Sequence, residues 1–148
     1  MSAVMKEHST NVQTTLPEAF NLLGGFIGKR QLLALAELCR GEEREYFRAK
    51  VIEMAQLIHG MPTTGEQDGR GDDAVVYLHY FLGSADFHIT EKDVDSDGEG
   101  QIQAFGLANL GYGAELGYIS LVELAENNVE IDLHFAPRTL AEVKAGGG

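Results

Sequence analysis

The sequence predicts an α+β fold, an N-terminal helical hairpin packed on a mostly antiparallel β-sheet of about four to five strands, with short C-terminal helices. Three observations predict it. Helical periodicity is confined to residues 15–61, extended alternation occupies much of residues 74–135, and the extended segments follow one another through short glycine-marked turns.

The organising stretch is AVVYLHYFLGSADFHITE, residues 74–91, which reads as two strands folded back at Gly83-Ser84. A two-residue loop beginning with glycine suits a type II′ turn, whose twist matches the strands it joins. Counting outward pairs Leu82 with Ala85, Phe81 with Asp86, Tyr80 with Phe87, His79 with His88 and Leu78 with Ile89. Alternation then places Leu78, Tyr80, Phe87 and Ile89 on an apolar face. Tyr77, His79, Phe81, Asp86, His88 and Thr90 fall on a mixed face, where function is sought.

Taken in order, residues 1–14 are polar and aperiodic, and disorder is expected there. Thr15 can cap a short helix beginning near Pro17, a first-turn position that suits proline. KRQLLALAELC, residues 29–39, puts Leu32, Leu35, Ala36 and Cys39 on one stripe. A longer helix over residues 42–59 opens with Glu42, Glu43 and Glu45, whose carboxylates favour the positive end of the macrodipole. Phe47, Val51, Met54 and Ile58 form its apolar face, and Gly60 and Pro62 end it. The last two helices are expected to pair and cover the sheet.

Residues 62–73, PTTGEQDGRGDD, read as a mobile polar linker. After the hairpin and the acidic loop DVDSDGEG, residues 101–110 read as a third strand and residues 115–121 as an extended segment. Ser120 can cap a helix LVELAEN. Val129, Ile131, Leu133 and Phe135 alternate with Glu130, Asp132 and His134, so residues 129–135 are expected to be a strand. Residues 138–145 are expected to form the last helix, and the terminal glycines to fray.

At 148 residues the chain is read as a single domain, 1–148, able to bury a real core. A hydrophobic content of 44% and a charged content of 23% fit a globular protein. No apolar run approaches the ~20 residues of a membrane span. The first twenty residues hold no apolar stretch of export type. Cys39 is the one cysteine, which excludes an internal disulfide and fits a reducing cytoplasm. The net charge of −12 is uneven: residues 1–65 balance, whereas residues 66–99 hold ten acidic side chains against Arg70 and Lys92. Without clustered Lys and Arg outside the helical first third, direct nucleic-acid binding is disfavoured. Such acidity attracts basic partners, or simply maintains solubility.

AFGLANLGYGAELGYISLVEL (residues 104–124) followed by DLHFAPRTLAEV (132–143) resembles a family of small uncharacterised proteins carried on plasmids, integrative elements and phages, catalogued as a domain of unknown function. The resemblance extends back over VVYLHYF and covers residues 74–143. It implies an accessory protein of a mobile element, cytoplasmic in a bacterial host, and brings no catalytic residues with it.

Two clusters suggest chemistry. His79 and His88, opposed in the hairpin with Cβ atoms ~5 Å apart, could join His134 and Asp132 or Glu130 if their strands lie side by side. Imidazole and carboxylate suit zinc or another divalent metal, although no compact metal motif is present. A polar sheet face is the plainer account. Asp93, Asp95 and Asp97 with Gly98 match the opening of an EF-hand loop, but Ala104 stands where the closing glutamate belongs. With Glu99, they read more simply as a solvated acidic loop. The glycines of residues 111–117 fit no phosphate-binding fingerprint, and no nucleophile elbow surrounds any serine. Tyr77 and Phe81, beside Asp86, have the composition of a protein-binding surface.

Three readings follow. The first is a non-enzymatic accessory protein that binds a host or element protein, such as a basic nucleic-acid-handling defence enzyme whose groove it would occupy. The second is a divalent-metal-dependent enzyme on the histidine face. The third is a homodimer paired through a sheet edge or helix face.

Overall fold

The computed structural model describes residues 14–94 and 100–146. Among the described residues three helices come first: α1 (Leu16–Leu23), α2 (Lys29–Leu38) and α3 (Arg44–Gly60). Thr15 and Glu18 close a capping box at the start of α1, each side chain accepting the other's backbone N–H. On α3, Val51, Met54, Ala55 and Ile58 are buried, following the expected stripe. Its main helical neighbour is α1, with fewer contacts to α2, so the expected pairing of the last two helices is secondary. At its C-terminus the Lys92 ammonium donates to the Ile58 and His59 carbonyls, at 2.8 and 3.0 Å, where a cation suits the dipole.

The strands are β1 (Val75–Val76), β2 (Leu78–Leu82), β3 (Ala85–Glu91), β4 (Ala104–Asn109), β5 (Ala114–Ile119), β6 (Glu130–Ile131) and β7 (Arg138–Thr139). Helix α4 (Leu121–Glu126) precedes β6, and α5 (Leu140–Ala145) follows β7. The sheet is antiparallel throughout, in the order β5-β4-β3-β2-β6, and β1 and β7 form a separate two-stranded ribbon. The fold is therefore α+β, as the sequence indicates.

The β2–β3 register agrees with the turn count at all five pairs. Gly83 has a φ of 58° and Ser84 does not enter the positive region, which fits a type II′ turn. On the apolar face Leu78, Tyr80 and Ile89 are fully buried in the main core, with Phe87 packed at its margin. The Tyr80 hydroxyl donates to the Phe26 carbonyl across the helix–sheet boundary at 2.6 Å.

The other face is also covered. Ala74, Val76, Leu107, Leu140 and Val143 form a second apolar cluster, with Phe135 against it. The C-terminal segment thus returns over the sheet opposite the helices, and His88 and Thr90, expected on the mixed face, are buried.

Two further elements differ from expectation. The strand expected over 129–135 stops at Ile131, because the Asp132 carboxylate accepts the His134 backbone N–H at 2.9 Å and turns the chain. The expected linker is anchored by the buried Gln67 amide. Its nitrogen donates to the Val75 and Thr90 carbonyls, and its oxygen accepts from the Val75 N–H and the Arg70 guanidinium. A glutamine that satisfies four partners holds a turn-rich stretch that composition alone marks as loose.

Candidate functional site

The hairpin histidines meet as counted. Strand pairing sets His79 opposite His88, and their rings stack with centroids 4.5 Å apart and planes 8° from parallel. His79 lies between two carboxylates. Its Nε2 is 2.7 Å from Asp86 Oδ1, and its Nδ1 is 3.1 Å from Asp132 Oδ2. Both contacts are hydrogen bonds when the ring carries two N–H groups. In this arrangement neither ring nitrogen of His79 is left to ligate a metal. Burial, reinforced by the neighbouring His79, lowers the His88 pKa to about 4, although the nearby Asp86 carboxylate pulls the other way. The Phe135 ring closes over both histidines, with centroids 5.7 and 5.9 Å away, and the Arg138 guanidinium sits 4.9 Å above Phe135.

Asp132 joins this cluster through His79. Burial alone would raise its pKa, but the His134 backbone N–H and the His79 side chain together hold its carboxyl below the ordinary range. His134 lies in an exposed turn, from which its backbone N–H bonds to Asp132 and its charge also favours the carboxylate. Among the described residues, no group of three or more His, Cys, Asp or Glu side chains is placed to hold a metal ion.

Phe81, partly exposed, lies 5.8 Å from the His79 ring. Tyr77 falls in the break between β1 and β2 and packs against the main core. The expected aromatic pair is thereby split. In the acidic loop, the Asp93 carboxylate accepts the backbone N–H groups of Ile102 and Gln103, and the Asp93 N–H donates to Gln101 Oε1. That carboxylate closes the loop. Asp95, Asp97 and Glu99 lie outside the described residues.

A surface that the sequence reading passed over stands at the far end of the sheet. Among the described residues strand β5 pairs with β4 alone and forms one edge. Leu116 and Tyr118 are 50% and 70% exposed on it, and Leu110 and Tyr112 of the connecting turn are 51% and 86% exposed. Residues 104–119 hold a single charged side chain, Glu115. That deficit within a chain of net charge −12 was the available signal. The opposite edge is closed: the Gln31 amide accepts the Ile131 N–H and donates to its carbonyl, at 2.9 and 3.0 Å. An apolar groove of about 540 Å³, between α2 and the hairpin tip, lies beside Gln31.

No helix among the described residues is long and apolar enough to cross a membrane. No curated protein and no solved structure matches the chain. The match to a family model spans residues 50–142, from the middle of α3 into α5, and so reaches further back than the motifs themselves. By that match the chain belongs to the family described as proteins of unknown function, DUF2958.

Proposed function

We propose that this chain works by binding another protein and not by catalysis, as a cytoplasmic accessory of a bacterial mobile element. The observation that supports this reading is the β4–β5 hairpin. It holds two leucines and two tyrosines in solvent, on a sheet edge with one charge. Contiguous exposed apolar surface of this kind marks contact sites, and tyrosine is an efficient anchor because it covers a large area with little flexibility. The acidity of residues 66–148 adds long-range attraction toward a basic partner. A defence enzyme with a basic nucleic-acid groove has that character, and occupying such a groove would block it.

The test is a photo-cross-linking residue at Tyr112 in cells that carry the element. A cross-linked protein that is lost with Leu116→Glu or Tyr118→Glu is the expected result. Absence of a cross-linked product with any protein other than the chain itself overturns the reading.

A further inference from the structure

The two edges of the sheet are treated differently. At β6, only two residues long, the Gln31 amide occupies the outer N–H and C=O of Ile131 as a neighbouring strand would. At β5, six residues long, the pairing among the described residues is with β4 alone, in a continuous register over all six residues. Soluble proteins shield such edges with lysine, proline, bulges or a covering segment. Residues 114–119, AELGYI, contain neither lysine nor proline, and the β4–β5 register shows no bulge.

We infer that β5 is the dimerisation edge of this protein, pairing antiparallel with β5 of a second copy about a twofold axis at Gly117. This rests on the reading of the β4–β5 hairpin as a contact surface and assigns its β5 edge to a second copy, which leaves Leu110 and Tyr112 of the turn to the partner. The strand is self-complementary in that register. Leu116 faces Tyr118 of the second copy, and Tyr118 faces its Leu116, so the exposed apolar side chains cover one another. Glu115 faces Ile119 and not its own symmetry mate, which avoids a like-charge pair across the axis. Gly117 presents no side chain where the strands cross. A two-fold contact of this kind closes on itself and leaves neither β5 edge exposed. The nearly uncharged hairpin also keeps the repulsion of two acidic chains away from the contact.

Gly117→Cys tests the register directly. A Cβ at position 117 meets nothing within 4 Å, so the variant should fold. Across the axis it would face its own copy at a separation that suits a disulfide. The native Cys39 is buried and does not compete. The expected result is a covalent dimer under mild oxidation for Gly117→Cys and none for Leu82→Cys at the hairpin tip. Gly117→Lys should shift sedimentation toward monomer by opposing like charges. Added salt should tighten the dimer by screening two acidic chains, whereas it would loosen a complex with a basic partner. A wild-type chain that sediments as monomer, with no cross-link at position 117, overturns the proposal. If Tyr112 then captures another protein that Tyr118→Glu releases, the contact surface stands and only its occupant is wrong. If it captures nothing, both readings fall.

Discussion

The imidazole of His79, held between Asp86 and Asp132, lies flat against that of His88, whose pKa burial lowers to about 4. Unfolded, His88 binds its proton near the ordinary value of 6.5. Between 6.5 and about 4 the unfolded chain therefore holds the extra proton, and stability is lost as pH falls through that window. The shift corresponds to on the order of 3 kcal/mol. Asp132, with its pKa lowered, adds a loss in the same direction at still lower pH. Urea midpoints measured from pH 7 to pH 4 should fall for the wild type and level off over this range in His88→Phe. A flat wild-type profile would contradict a buried neutral His88.

The Tyr80 hydroxyl ties the sheet to the loop after α1 through the Phe26 carbonyl. Both side chains are almost wholly buried. Tyr80→Phe keeps the ring and strands the carbonyl, which should cost about 1–3 kcal/mol. Equilibrium denaturation reads this as a lower midpoint with an unchanged slope.

Gly106 sits where β4 crosses β3, and a methyl group there would run into the His88 carbonyl and the backbone at Ile89. Both obstacles are backbone, so the strands would have to separate. Gly106→Ala should therefore destabilise by more than a surface substitution, about 2 kcal/mol or beyond. Gly117→Ala, one strand over, meets no atom of its own chain within 4 Å and should change the stability of the single chain by no more than about 0.5 kcal/mol. Paired thermal melts of the two variants give the contrast.

The β2–β3 hairpin was legible because turn geometry and two-residue periodicity are local properties of the sequence. The Thr15 cap, the apolar face of α3 and the Ser120 cap were legible for the same reason. What could not be read depends on contacts between distant residues. Burial of His88 requires Phe135 and α5 to return over the sheet. The early end of β6 depends on the choice of Asp132 to bond back to His134. Gln67 looks like an ordinary loop glutamine until Val75 and Thr90 are placed beside it. Of the residues singled out for function, His79, His88, Asp86 and Asp132 converge, His134 reaches the cluster through its N–H to Asp132 from an exposed turn, and Tyr77 packs on the main core. The two strands of the edge hairpin were read in the sequence, but the place of β5 at the sheet edge was not, because strand order is set by the tertiary fold.

Gln31 and Ile131 are a hundred residues apart, yet the side-chain amide matches the strand's donor and acceptor, one bond each way. Gln31→Ala should leave both groups of Ile131 without this partner and open a second sheet edge. The loss should be about 1–3 kcal/mol, less whatever water recovers at this part-buried site. Gln31→Glu separates the two bonds, because a carboxylate can accept the Ile131 N–H but cannot donate to its carbonyl. Hydrogen exchange at the Ile131 amide should therefore accelerate strongly in Gln31→Ala and much less in Gln31→Glu. If the amide exchanges at the wild-type rate in both, Gln31 is not what closes that edge.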